Sequence, residues 1–495
     1  MKKNPLKIFI TVSAVTLLTL SFLVVGCSNN SSGKLPLSTK SEKAKELYAK
    51  GISYMDNLRR GEAAEYFAKA LQEDSTFALA RLQLALSKSS PADMLDVLDR
   101  IKKDVATASE GEQLVVASYD AAFNARSDEQ KNILDKLIAL HPTDERCLMM
   151  LGSYYYGREE YREAIEVYKK ILAENDEFAP VYNMLGYCYR NLDNYAEAES
   201  YLKKYIELIP NDPNPYDSYG ELLLKMGKFE ESLESYKRAI SIDPYFVFSY
   251  LGLATNFNML GKHIEARNQL KKMLEISKND MQRREATYGM AVSYVDEGNL
   301  GMGLKLLDQR VGISKNSGNK IDYYSDLQTF GLLALQANNI DLAEETFATA
   351  TAQIDSSDQI EPIKDQAARL KKYTGCLIAI KEGDLDAARN FAAEYNQLVN
   401  EAQSSLQKRN VHELLGLIAL AAKDFAEADK ELRLTNQSNP LNLFRLGMAN
   451  KGLGDNEKAL SFFEKAAHAN MINSLNYALV RKKALAEIAS LEPLT

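Results

Sequence analysis

The chain has no tryptophan, four histidines, four cysteines and only twelve prolines in 495 residues. Proline stands at roughly half its usual share. That scarcity favours long helices, because proline removes a backbone donor and breaks helix interiors. Four cysteines are too few to staple a chain of this length, which excludes a disulfide scaffold. Histidine is too sparse and too scattered to suggest a metal cluster. A formal charge of −8 lacks the basic excess that meets nucleic-acid phosphates. The want of tryptophan removes the widest aromatic platform for stacking on sugars. What is present is ordinary core material: 46% hydrophobic residues, 26% charged residues and 27 tyrosines. The chain can bury a large core, and its length alone suggests about three domains.

The first 26 residues stand apart from this composition. Lys2, Lys3 and Lys7 make a positive start, Ile8 to Val25 is uncharged and mostly apolar, and Gly26-Cys27 follows at once. The pattern resembles a bacterial lipoprotein signal, with residues 1–26 as the signal peptide. The resemblance implies cleavage before Cys27 and lipidation of that cysteine. Two or more acyl chains at about 0.8 kcal/mol per buried methylene would anchor the chain to a bilayer. Cleavage would remove three lysines and no acid, taking the formal charge from −8 to −11. Residues 27–40 comprise that cysteine and a small, polar run expected to form a flexible tether. Ser28 follows the cysteine. In Gram-negative lipoproteins this implies an outer-membrane location facing the periplasm, within a bacterial cell envelope.

The rest of the chain is periodic. Ser118, Gly152, Gly186, Gly220 and Ala254 are spaced by 34 residues, and Ala121, Tyr155, Tyr189, Leu223 and Phe257 follow each by three. Twelve residues on come Gln130, Ala164, Ala198, Ser232 and Ala266, and Pro142, Pro210 and Pro244 recur at the close. A small residue, a large one a turn later, a second small residue and a closing proline resemble the tetratricopeptide repeat. The resemblance implies an all-α fold, an α-solenoid of stacked helix–turn–helix hairpins forming a right-handed superhelix. One hairpin cannot bury its own apolar face, so each must stack on a neighbour. Regular repeats are expected over 41–280. Beyond them, anchors at Ala291, Gly331, Gly375, Gly416 and Gly447 mark longer, divergent repeats over 281–473. Residues 474–495 read as a charged, amphipathic capping helix and tail.

Catalytic motifs fail on inspection. His412-Glu413-Leu414-Leu415-Gly416 begins like a zinc-peptidase motif, but glycine stands where the second histidine ligand is required. Gly298 to Lys305 is glycine-rich but lacks the Gly-Lys-Ser/Thr ending of a phosphate loop. After Cys27, the cysteines left are Cys147, Cys188 and Cys376, expected to be buried thiols, with a Cys147–Cys188 bridge the lesser alternative. No enzyme activity, cofactor or metal is expected.

In tetratricopeptide proteins the first helix of each hairpin lines a concave groove. Carried onto this chain, the resemblance names Tyr119; Arg146, Met149, Ser153 and Tyr156; Asn183, Tyr187 and Arg190; and Asn214, Asp217 and Glu221. Tyrosine and arginine are common interface anchors, and asparagine can bond a peptide backbone both ways. The lysines of a terminal-carboxylate clamp are missing from the matching places. The expected function is a membrane-anchored scaffold or adaptor that binds a protein or extended peptide in assembly or maintenance of an envelope complex. The expected partners are that protein and, through the acyl anchor, a lipid bilayer, with neither nucleic acid nor metal. A glycan-binding or wall-associated lipoprotein and a passive structural spacer are the alternatives.

Overall fold

A computed structural model describes residues 33–491, apart from 58, 89, 90, 125, 358, 360, 403 and 404. The expected signal peptide and Cys27 lie outside the described residues. Among the described residues the chain is helical, with a short 3-10 turn at Val105–Thr107 and no strand.

The first helices are α1 (Glu42–Asp56), α2 (Arg60–Glu73), α3 (Ala78–Lys88), α4 (Pro91–Asp104), α5 (Glu110–Phe123) and α6 (Ser127–Leu140). Next come α7 (Glu145–Gly157), α8 (Tyr161–Glu174), α9 (Ala179–Asn191), α10 (Tyr195–Leu208), α11 (Pro213–Lys225) and α12 (Phe229–Ile242). They continue as α13 (Phe248–Met259), α14 (His263–Ile276), α15 (Asp280–Glu297), α16 (Leu300–Ser317), α17 (Lys320–Gln336) and α18 (Ile340–Asp355). The last are α19 (Glu361–Glu382), α20 (Leu385–Glu401), α21 (Ser405–Ala421), α22 (Phe425–Leu432), α23 (Pro440–Gly452), α24 (Asn456–Ala467) and α25 (Leu475–Leu491). In chain order they form twelve helix–turn–helix pairs and a final helix. Two compact units divide them, Met1–Leu222 and Leu223–Thr495, with the division inside α11.

The small residues of the repeat let paired helices close. A Cβ built on Gly152 would lie 2.1 Å from the Tyr168 ring, and one on Gly186 would lie 2.6 Å from Leu202. Only hydrogen fits under those side chains, so each hairpin is locked by one small–large contact. Around these contacts the first unit has a single core that includes Tyr48, Phe67, Leu98, Val115, Leu148, Tyr168, Leu185 and Tyr205.

Residues 33–40 do not behave as the expected tether. Gly33 to Thr39 form a strap bound across the starts of α7 and α5 and the end of α2. The Leu35 amide donates to Asp144 Oδ2 at 2.9 Å, and the Ser38 amide donates to Glu112 Oε1 at 3.1 Å. Lys34 Nζ reaches Thr143 O at 2.7 Å and Glu145 Oε2 at 2.6 Å. Thr39 Oγ1 donates to Asp74 Oδ2 at 2.5 Å. The reason is the helix N-terminus: Asp144 and Glu112 already cap α7 and α5, and their spare lone pairs take the strap's backbone. Leu35 is buried between them, only 3% exposed.

In the second unit the repeat lengthens where the spacing changes, at residue 280. Asn279, Asn299, Asn319 and Asn339 recur every twenty residues. Each caps the following helix, α15 to α18, by accepting a backbone N–H two or three residues on. Gly298 and Gly318 end the preceding helices at φ of +103° and +74°, a conformation glycine takes without strain. The glycine-rich stretch from Gly298 is therefore helix punctuation.

The final helix is more than a solvated cap. Leu475, Tyr477, Ala478, Leu479, Val480 and Ala484 of α25 are buried. Leu475 and Leu479 join the core of α13 to α15, whereas Ala484 joins that of α23 and α24. Arg481 donates to Asp296 Oδ1 at 3.0 Å and Oδ2 at 2.7 Å, and His263 Nε2 lies 2.9 Å from the same carboxylate. Lys225 Nζ reaches Ala469 O at 2.9 Å and the Asn473 amide reaches Thr255 at 3.2 Å. The last helix thus closes the second unit on its own beginning. Its expected charged side is spent partly on internal pairs.

Candidate functional site

The residues expected to line a groove divide into two groups. Tyr119, Arg146, Met149, Asn183 and Asn214 are buried, which corrects the expectation of an open face along its whole length. The cause is α1, whose Tyr48, Ile52 and Met55 share one core with Tyr119 and Cys147 to Leu151. Arg146, the second residue of α7, is 2% exposed and reaches Asp56, the last residue of α1, at 2.7 Å. The Phe178 ring centre lies 4.6 Å from its guanidinium. Burial raises the Asp56 carboxyl above its ordinary range, and Arg146 offsets only part of that rise. Nearby, Asn214 Nδ2 donates to Tyr205 Oη at 2.9 Å, while the Asn183 side-chain oxygen has no partner. These five side chains are buried within the first unit.

The second group is half-exposed on α7, α9 and α11: Ser153, Tyr156, Tyr187, Arg190, Asp217 and Glu221. Ser153 sits 3.4 Å from the Tyr168 hydroxyl. Tyr187 Oη donates to Glu221 Oε2 at 3.1 Å and lies 3.2 Å from Ser218 Oγ. Arg190 pairs with Glu221 and stacks on Tyr187, guanidinium to ring centre 4.6 Å. Tyr156 accepts from Asn191 Nδ2 at 3.1 Å and meets the Tyr161 ring at 5.4 Å. Burial works against the charge on Arg190, but Glu221, Tyr156 and Tyr187 outweigh it and hold the guanidinium firmly protonated. Burial first, then the Glu221 charge, pushes the Tyr187 hydroxyl well up.

Tyr187 and Arg190, one turn apart on α9, both meet Glu221 of α11, the first helix of the next repeat. The sequence alone missed Ser218, Asn191 and Asp56. Ser218 and Asn191 lie within a turn of named positions and were within reach of the same register. Asp56 is 90 residues from Arg146 and no local pattern points to it.

The arrangement offers tyrosine faces and an internally neutralised charge pair, a surface suited to recognition. Among the described residues no three histidine, cysteine or acidic side chains gather as a metal site. His412 Nδ1 is 2.7 Å from Glu431, Glu413 pairs with Arg445, and Gly416 lies under Leu432. Cys147, Cys188 and Cys376 are free and buried. Burial pushes the Cys188 and Cys376 thiols up to about 12, away from reactive thiolate.

Comparison with known proteins gives the following. The tetratricopeptide repeat model matches residues 214–246 and 442–469, and a model of intraflagellar transport protein 56 matches residues 111–215. Human protein O-mannosyl-transferase TMTC2 is 33% identical over 101 residues, 20% of this chain and 12% of that protein. TPR repeat-containing protein YpiA from Bacillus subtilis is 26% identical over 167 residues, 33% of this chain and 39% of that protein. The chain therefore spans well under half the length of these relatives. A solved tetratricopeptide repeat protein from Parabacteroides merdae is 16% identical at a TM-score of 0.34, covering 67% of this chain and 99% of that one. Among the described residues the chain is all-α, built of stacked helix–turn–helix hairpins, and two of its stretches, 214–246 and 442–469, match the tetratricopeptide repeat model.

Proposed function

We propose that the protein is a membrane-anchored scaffold or adaptor of the bacterial cell envelope, held by lipid on Cys27. It binds a protein or extended peptide through the half-exposed face of α7, α9 and α11, in assembly or maintenance of an envelope complex. If the cell is Gram-negative, the protein sits on the outer membrane and faces the periplasm. It works by recognition, without a cofactor, a metal or a reaction of its own.

One observation supports this reading above others. Tyr156, Tyr187, Arg190 and Glu221 are half-exposed yet cross-braced by hydrogen bonds and stacking. Side chains already fixed in place lose little freedom when a partner arrives, which favours binding. The pairing of Arg190 with Glu221 also leaves no spare cation there for a partner's carboxylate.

The test is crosslinking in native membranes followed by mass spectrometry, with the wild-type chain and a Tyr156→Ala, Tyr187→Ala, Arg190→Ala variant. A specific partner should be recovered with the wild type and lost with the variant, whose helicity is checked by circular dichroism. Recovery undiminished by a folded variant would reject this face. Acylation of Cys27 is read separately, from the mass of the N-terminal peptide.

A further inference from the structure

We propose that the strap at residues 33–39 turns one edge of the first unit, the α6–α7 corner around Leu140 to Thr143, toward a lipid surface at short range. The proposal rests on the reading of Cys27 as the anchored residue. It goes beyond that reading by naming which surface meets the bilayer.

The sequence alone describes residues 27–40 as a free tether, and such a tether would let the body take any orientation. The bonds remove most of that slack. The Thr143 amide donates to Gly33 O at 3.4 Å, and His141 Nδ1 lies 3.1 Å from Lys34 O. Lys34 Nζ, the Leu35 amide and the Ser38 amide are held by Glu145, Asp144 and Glu112, and Ser109 Oγ donates to Pro36 O at 3.3 Å. The chain leaves this bound stretch at Gly33, beside Thr143. Only six residue steps separate Gly33 from Cys27. Even fully extended they reach about 20 Å.

That distance is comparable to the length of α7 itself, whose thirteen residues span about 20 Å. The two edges of the first unit are therefore unequal. The edge carrying Leu140, His141 and Thr143 is within reach of the anchor, while the opposite edge, where α7 turns into α8 near Arg162, lies a helix length farther away. Leu140 is a large apolar residue left 43% exposed at the near edge. An exposed apolar side chain within reach of the anchor suits the interfacial region of a bilayer.

The test uses the full chain, acylated and reconstituted in phosphatidylethanolamine–phosphatidylglycerol vesicles whose headgroups carry a nitroxide quencher. A fluorophore is placed by Leu140→Cys or by Arg162→Cys; the three remaining native cysteines are buried and stay unlabelled. Quenching is expected at 140 and absent at 162. Releasing the strap with Leu35→Asp and Thr39→Ala should abolish the difference. The 140-against-162 comparison stands on its own if that variant fails to fold. Equal quenching at both positions, with Cys27 shown to be acylated by mass, overturns the proposal and leaves the anchor intact. A Cys27 without acyl groups overturns the anchor and the proposal together, and Cys27→Ser, which should lose vesicle association, separates the two outcomes.

Discussion

Arg146 and Asp56 form a buried ion pair across 90 residues of sequence, joining the start of α7 to the end of α1. The Arg146 side chain is 2% exposed and that of Asp56 11%. Arg146→Ala should therefore destabilise the first unit by about 3–5 kcal/mol, because it strands a buried carboxylate. The double variant Arg146→Met, Asp56→Leu should recover most of that loss. Urea unfolding followed by circular dichroism checks both. Additive losses in the double variant would show that the two residues do not act as a pair.

The same carboxyl gives a pH signature. Asp56 titrates above its ordinary range in the folded chain, mainly through burial. A raised folded value means the stability it contributes is fully present below the unfolded carboxylate range and is lost as pH rises through the folded value. The stability of wild type relative to Asp56→Asn should therefore decline from pH 4 toward pH 7. A difference that is flat or that grows with pH would contradict the assignment.

Two glycines of α7 should respond oppositely to alanine. At Gly152 the new Cβ would lie 2.1 Å from the Tyr168 ring, so overpacking should cost about 1–3 kcal/mol. At Gly157 nothing lies within 4 Å, so alanine should be neutral or stabilise by up to about 1 kcal/mol through helix propensity. The Gly152 variant should melt below the wild type and the Gly157 variant at or above it.

These cases show where the sequence was informative. The contacts of Gly152 with Tyr168 and Gly186 with Leu202 join residues sixteen apart, so the repeat register exposes them directly. The Tyr187, Arg190 and Glu221 face follows from the same register carried to the next repeat. The strap was illegible for a different reason: the Leu35 and Ser38 groups that hold it are backbone amides, which every polar run possesses, and Lys34 and Thr39 find Glu145 and Asp74 far away in sequence. The closing role of α25 was hidden because Arg481 finds Asp296 across 185 residues, and a charged residue on a terminal helix looks like one meant for water. The burial of Arg146 was hidden by the same long separation.

The strap makes its own prediction. Removing residues 1–32 should leave the unfolding of the first unit unchanged, whereas removing 1–40 should lower its stability by about 1.5–3 kcal/mol from the loss of Leu35 burial alone. Differential scanning calorimetry on the two truncations decides it. Equal midpoints would mean that the strap's bonds are worth no more than those it makes with water.

Arg481→Ala tests the closure of the second unit. Asp296 keeps His263 but loses two bonds to a guanidinium, so a loss of about 1.5–3 kcal/mol is expected. Amide exchange at α13 and α15 should quicken along with that at α25. Faster exchange at α25 alone would mean that the helix frays without its partners.

That closure bears on how the chain can have grown. An open stack of hairpins lengthens by duplication at no cost to its ends, since each new copy sees only its neighbours. Here α25 must meet both α23 and α15, through Lys451 and Glu487 on one side and Arg481 and Asp296 on the other. A hairpin gained or lost between those helices would carry Arg481 away from its carboxylate and open two cores at once. The number of repeats in the second unit is thus set by geometry, and homologous chains should vary in repeat number elsewhere, while the stretch from α15 to α25 keeps its count.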